Sequence, residues 1–168
     1  RYGYLFNRTL IENLTFTLDI NIVCPTYTLF AQVLDSKELP LQNVQVKVYE
    51  WESERFMGSK VTNNLGSVTL GCTFGRYTVR VYDLESGIIL NETVIDLIDD
   101  PFFFVIHCRI SNVDLSVVVK DYLGHPIPNA KVKVERDGVE IATLTTESNG
   151  TVSLYKIIGG NCRISVYV

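Results

Sequence analysis

Leu39-Pro-Leu-Gln-Asn-Val-Gln-Val-Lys-Val48 recurs further along the chain as His125-Pro-Ile-Pro-Asn-Ala-Lys-Val-Lys-Val134. Pro40, Asn43, Val46 and Val48 fall on Pro126, Asn129, Val132 and Val134 at an offset of 86, and Asp35 falls on Asp121. Self-similarity of this kind sets the architecture before any single element is placed. Phe30-Ala-Gln-Val-Leu-Asp35 likewise lies on Ser116-Val-Val-Val-Lys-Asp121, and Tyr77-Thr-Val-Arg-Val81 on Cys162-Arg-Ile-Ser-Val166. Asn64-Leu-Gly-Ser-Val-Thr-Leu70 lies on Asn149-Gly-Thr-Val-Ser-Leu154, with Gly66 on Gly150 at an offset of 84. The two-residue loss falls in a hairpin loop: Trp51-Glu-Ser-Glu-Arg-Phe56 in the first copy, Arg136-Asp-Gly-Val139 in the second. Asp-Gly is the favoured two-residue turn.

Both copies read as strands. Val44, Val46 and Val48, Ala130, Val132 and Val134, Val79 and Val81, and Ile164 and Val166 alternate with polar residues at period two. Such short runs, separated by Gly, Pro, Asn and Asp, predict an all-β chain of two tandem sandwiches of about 80 residues each. No stretch has helical periodicity. The apolar content of 46% over 168 residues is ample for packed cores. No apolar run is long enough for a membrane helix, so membrane insertion is not expected. The net charge of -4 comes with no basic patch, which argues against nucleic acid. The first residue is Arg rather than Met, as in a processed chain or an excerpt of a longer one.

The pattern V-x-D-x-x-G-x-P-[IL]-x-N-A-x-V-x-V, then T-x-x-N-G-x-V, then G-x-Y-x-V-x-V resembles the carboxypeptidase regulatory-like and related Ig-like extracellular modules. Asp121, Gly124, Pro126, Asn129, Asn149 and Gly150 carry it in the second copy. Asp35, Pro40, Asn43, Asn64, Gly66, Gly75 and Tyr77 carry it in the first, with Glu38 in place of the turn glycine and Cys162 in place of the second tyrosine. The resemblance implies Ig-like sandwiches and says little about function, because such modules are spacers as often as binders.

The ends fit a different frame. Residues 1–24 align with residues 85–108 without a gap at an offset of 84, so that Asn7, Thr9, Ile11 and Cys24 meet Asn91, Thr93, Ile95 and Cys108. The first copy therefore gains a further strand, about Ile88 to Ile98, that closes its sandwich. The second copy stops at Val168 without one, and a spare copy of that strand lies at the N-terminus. The predicted organisation is a donor strand over 1–14, a first sandwich over 15–98, and an incomplete second sandwich over 99–168. A sandwich short of a strand exposes backbone groups and an apolar groove that invite another chain. Tyr4, Leu5, Phe6, Leu10, Ile11 and Leu14 are the expected anchors, with Asn7-Arg-Thr9 a bulge that breaks the alternation. Head-to-tail donation does not close on itself and yields a homopolymeric filament. In architecture the chain resembles the archaeal thread filaments of Sulfolobales, whose glycosylated subunits join by donor strand complementation; the resemblance implies an extracellular surface fibre serving adhesion or cohesion. Three other readings are open. The chain is an excerpt of a longer array, in which residues 1–14 close a preceding repeat, or a fold-back in cis. Otherwise it is a glycan- or protein-binding module of a larger surface protein.

Four Asn-x-Ser/Thr sequons occur, at Asn7, Asn13, Asn91 and Asn149. They are candidate N-glycan sites if exposed in a secreted chain. Asn7 and Asn91 hold equivalent repeat positions. Four cysteines allow three pairings, of which Cys24–Cys72 and Cys108–Cys162 place one staple in each sandwich; buried free thiols are the competing reading. Catalytic residues, metal ligands and cofactors are not expected. His125 sits in a turn. His107 and Cys108 are adjacent, so on a strand they point to opposite faces. Asp99-Asp100 falls short of the oxygens calcium needs and reads as a turn before the opening strand of the second domain. Phe102-Phe-Phe104 reads as core, and Trp51 as a strand-end residue.

Overall fold

β-Branched residues at alternating positions pack well on a pleated, half-buried surface, and the chain follows that preference throughout. The computed structural model describes residues 8–22 and 26–168. Among these, twelve strands form and no helix, so no helix is long and apolar enough to cross a membrane. The chain is two tandem Ig-like β-sandwiches. They separate into one unit running up to Leu34 and over Pro40–His107, and another of Asp35–Leu39 with Cys108–Val168.

The first unit holds β1 (Tyr27–Leu34), β2 (Val44–Glu50), β3 (Phe56–Val61), β4 (Ser67–Cys72), β5 (Gly75–Asp83), β6 (Ile89–Leu97) and β7 (Phe102–His107). One sheet has the order β4-β1-β7 and the other β3-β2-β5-β6. All pairs are antiparallel except β1 with β7, which run parallel. Leu29, Val33, Val46, Val48, Val79, Val81 and Leu97 are wholly buried between the sheets, as period-two alternation requires.

The pairing of β7 corrects one expectation. The Asp99-Asp100-Pro101 turn leads into the seventh strand of the first sandwich, not into the opening strand of the second. Asp100 Oδ1 accepts the backbone N–H of Thr28 at 2.8 Å, which ties that turn to the start of β1.

The second unit holds β8 (Val113–Val118), β9 (Lys131–Arg136), β10 (Val139–Thr145), β11 (Thr151–Ile157) and β12 (Cys162–Tyr167). Its sheets have the orders β11-β8 and β10-β9-β12. Register confirms the repeat strand by strand. Val46 faces Val81 and Val48 faces Val79, as Val132 faces Val166 and Val134 faces Ile164. Leu29 faces Leu70 and Ala31 faces Val68, as Leu115 faces Leu154 and Val117 faces Val152.

The polar residues of the repeat build the same turns twice. Asp35 Oδ1 accepts the backbone N–H groups of Lys37 and Leu39, and Asp121 Oδ1 those of Leu123 and His125. Asn43 and Asn129 both adopt a left-handed conformation, with φ of 58° and 59°, which Asn tolerates better than most residues. Gly66 and Gly150 also have positive φ, and a Cβ at either would come within 2.5 Å of a carbonyl, that of Val33 or Val119. Thr62 and Thr146, a matched pair that the repeat reading passed over, are buried. Each hydroxyl donates to a loop carbonyl (Leu41 or Ile127) and accepts a backbone N–H three residues further along that loop (Val44, the first residue of β2, or Ala130, just before Lys131).

Candidate functional site

Matched strands of the two sandwiches have unmatched surroundings. In the first, β5 lies between β2 and β6, and β1 lies between β4 and β7. In the second, the counterpart of β5 is β12 and that of β1 is β8. Among the described residues β12 pairs only with β9, and β8 only with β11. Among the described residues the second sandwich thus shows no counterpart of β6 and none of β7. Both sheets end in a free edge, and both edges lie on the same side of the repeat.

Burial records the consequence. Val79 and Val81 are 0% exposed, whereas Ile164 and Val166, at the same repeat positions, are each 42% exposed. Leu29, Ala31 and Val33 are buried, whereas Leu115, Val117 and Val119 are only half-buried. Across the sheet the floor is intact: Val132 and Val134 are as deeply buried as Val46 and Val48. The second unit therefore presents an apolar trough with an unpaired backbone edge on each lip. Fully burying one aliphatic side chain stabilises by roughly 1.5–3 kcal/mol, and these half-exposed side chains forgo part of that.

The N-terminal segment mirrors it. Residues 8–22 form no ladder and are all exposed. Their apolar side chains include Leu10, Ile11 and Leu14, three of the expected anchors, and also Phe16, Leu18, Ile20 and Ile22. Tyr4, Leu5, Phe6, Asn7 and Cys24 lie outside the described residues. The gapless repeat maps Ile11 onto Ile95, which is buried, but Leu10 and Leu14 onto Val94 and Ile98, which are exposed. Phe6 maps onto buried Leu90, Tyr4 onto half-buried Ile88 and Leu5 onto exposed Ile89. β6 carries one extra residue, Leu90, between the pairs Tyr82–Ile89 and Val81–Asn91, beside the position where the repeat places Asn7. Leu18, Ile20 and Ile22 map onto Phe102, Phe104 and Ile106, the inward-facing row of β7. The alternation over 16–22 was visible in the sequence, but its partner strand was not.

The sequons differ in setting. Asn149 is exposed, and its Oδ1 accepts the backbone N–H and hydroxyl of Thr151. Asn13 is exposed with a φ of 52°. Asn91 is half-buried, and its Nδ2, the atom a glycan would occupy, donates to the His107 carbonyl at 3.0 Å.

The expected disulfide Cys108–Cys162 is absent. Cys72, Cys108 and Cys162 are free thiols, and Cys24 lies outside the described residues. Bonded sulfurs lie about 2 Å apart and share one environment. Cys108 is completely buried while Cys162 is exposed at the mouth of β12. Burial pushes the Cys108 thiol up to about 12, assisted by the Asp35 carboxylate, and burial also raises Cys72. Cys162 replaces Tyr77, whose hydroxyl donates to the Thr73 carbonyl at 2.7 Å.

The remaining residues with chemical character are occupied structurally. His125 is exposed, with Nδ1 3.2 Å from Asp121 Oδ2. Trp51 sits at a strand end with the Arg76 guanidinium 5.5 Å from its ring. Phe102 and Phe104 turn inward, while Phe103 stacks outside on Phe30.

No protein-family model and no curated protein matches the chain. Solved structures with a similar course include a streptococcal ancillary pilin, 14% identical over 84% of this chain and 53% of that one, with a TM-score of 0.47. Two others have a TM-score of 0.44. The Bacillus anthracis TIE protein is 16% identical over 86% of this chain and 29% of that one. Shaft pilin spaA from Lactobacillus rhamnosus GG is 12% identical over 80% and 84%. The chain spans about half the length of the first and under a third of the second. All three are bacterial, and none is an archaeal thread. At these scores the similarity carries no functional weight.

Proposed function

We propose that the chain is a structural, non-enzymatic subunit of an extracellular surface filament, assembled head to tail by donor strand complementation. The N-terminal segment of one subunit completes the second sandwich of the next. The observation that carries this reading is the exposure of Ile164 and Val166 where Val79 and Val81 are sealed, in a chain whose N-terminus repeats the sealing strand. Adhesion or surface cohesion is the role that suits such a polymer. Asn149, exposed in a turn away from the donated segment, is the sequon best placed to carry an N-glycan on it. The same interface would also operate inside a longer tandem array, a reading that the 84-residue period favours.

Light scattering and negative-stain microscopy on the 168-residue chain, beside one lacking residues 1–14, test the proposal. Filaments from the intact chain and monomers from the truncated one are expected. A compact monomer from the intact chain, stable at high concentration, would overturn the filament reading.

A further inference from the structure

The geometry points to a donated element larger than one strand: we propose that residues 5–22 of one copy dock as a two-strand arch that closes both sheets of another copy's second sandwich. This deepens the strand-donation reading and rests on it. Its first arm, about residues 5–13, adds antiparallel to β12. Its second arm, about residues 18–22, adds parallel to β8.

The first sandwich supplies the template. There the arch exists as β6, the turn through Pro101, and β7, with β6 on one sheet and β7 on the other. Neither arm alone seals the core: the row Val79–Val81 lies beside β6, and the row Leu29–Val33 beside β7. In the second sandwich both rows are open, so a single donated strand would leave one trough wall wet. The segment carries the residues for both arms. Ile11 takes the place of Ile95 on the first, and Leu18, Ile20 and Ile22 take those of Phe102, Phe104 and Ile106 on the second. Between them Asp19 and Asn21 take the outward places of Phe103 and Val105, keeping strict alternation over the second arm. The occupant is a second copy because the connection repeats. In sequence, four residues (23–26) separate the arch from β1, as five (108–112) separate β7 from β8.

Register transfers with the repeat and fixes the test. The pair Tyr77–Ile95 becomes Cys162–Ile11, and Phe30–Phe103 becomes Ser116–Asp19. Cα atoms directly opposite in an antiparallel pair are about 4.5–5.5 Å apart, and neighbouring strands of either kind lie about 4.7–4.9 Å apart, inside the range a disulfide spans. Ile11, Asp19 and Ser116 are all exposed in the chain, so substituting them does not touch either core.

Two full-length variants are made in a Cys24→Ser background. Ile11→Cys reports the first arm through native Cys162. Asp19→Cys with Ser116→Cys and Cys162→Ser reports the second. After oxidation with oxidised glutathione, both should give ladders of linked chains on a non-reducing denaturing gel, collapsing to monomer on reduction. Asn21→Cys with Ser116→Cys, two residues out of register, should lose the ladder. A ladder from the first arm only would overturn the arch and leave single-strand donation standing. No link from either arm would overturn donation itself. Links confined within monomers would overturn the second copy as the occupant.

Discussion

Leu29 and Leu115 hold the same repeat position on β1 and β8, and substituting each by Ala should give different answers until the chain assembles. Leu29 is 0% exposed, with β4 on one side of its strand and β7 on the other. Truncating a fully buried Leu costs about 2–5 kcal/mol, from lost transfer energy plus the cavity. For domains of this size each kcal/mol moves the midpoint by about 4–8 °C, so Leu29→Ala should lower the first sandwich's transition by roughly 10 °C or more. Leu115 is only half-buried. In a dispersed chain lacking residues 1–22, Leu115→Ala should cost about half as much, ~1–2 kcal/mol. In the intact chain the second arm covers Leu115 and the cost should rise to the Leu29 value. The difference of about 1–3 kcal/mol appears as weaker assembly, roughly 5- to 150-fold in dissociation constant. Differential scanning calorimetry on the dispersed chains gives the first quantity, and concentration-dependent light scattering on the intact ones gives the second. A Leu115→Ala cost equal to that of Leu29→Ala in the dispersed chain would refute the reasoning, because β8 would then be sealed without a donor.

Gly66→Ala and Gly150→Ala should each destabilise by more than about 1 kcal/mol, since both need positive φ and leave no room for a Cβ; chemical denaturation of each unit reads the loss. Thr62→Val and Thr146→Val should each cost about 1–3 kcal/mol by orphaning a buried N–H and carbonyl, whereas Thr→Ser should cost much less. Cys162 should react with a maleimide in dispersed chains and become protected on assembly, while Cys108, buried and with its thiol near 12, should react only after unfolding; mass spectrometry of quenched time points distinguishes the two. The Asp121 carboxyl is held below its usual range, first by the backbone N–H of His125. A depressed carboxyl contributes stability above its unfolded value and loses it as pH falls through the folded one. Melting temperature should therefore drop on the acid side of the carboxylate range, and Asp121→Asn should flatten that drop.

The repeat was legible because the residues that carry it do specific conformational work. Asp35 and Asp121 close side-chain turns, Asn43 and Asn129 take a left-handed backbone, and Gly66 and Gly150 sit against carbonyls. Each leaves an unambiguous residue type at a fixed offset. The apolar strands between them were legible from period two. The role of residues 102–107 was not, because periodicity states which face of a strand is buried and not which strand lies beside it. Phe102–Ile106 fits equally a strand that opens one sandwich or one that closes another. Only the parallel ladder with β1 decides, and on that ladder rests the proposal that the donated segment runs to residue 22 and not to residue 14. The cysteines misled for a related reason. Cys24 and Cys108 match, but Cys72 lies on β4 and Cys162 on β12, strands that are not counterparts.

A chain that carries its own β6–β7 arch and a second copy of it must keep the two apart, since tandem repeats are prone to misassembly by exchange. The inward faces do this only in part, because they match in apolar character except where Asn13 takes the place of buried Leu97. The outward faces can. In the first sandwich Glu92 lies opposite Arg80 and pairs with it, while Arg80 also holds Glu54 at 2.8 Å. The repeat puts Arg8 of the donor where Glu92 stands, and Ser165 of the acceptor where Arg80 stands. A donor in the β6 slot would set Arg8 against Arg80. Like charges directly opposite on a sheet are destabilising, and the opposite-charge pair lost with them is worth roughly 0.2–1 kcal/mol. Against Ser165 neither penalty arises. The second arm repeats the logic in apolar terms: Phe103 stacks on Phe30 at 4.7 Å between centroids, and Asp19 in its place would forfeit that stack. Opposite Ser116 it meets only a hydroxyl. Affinity thus resides in the inward rows shared by both arches, and the choice of slot resides in the outward rows that differ.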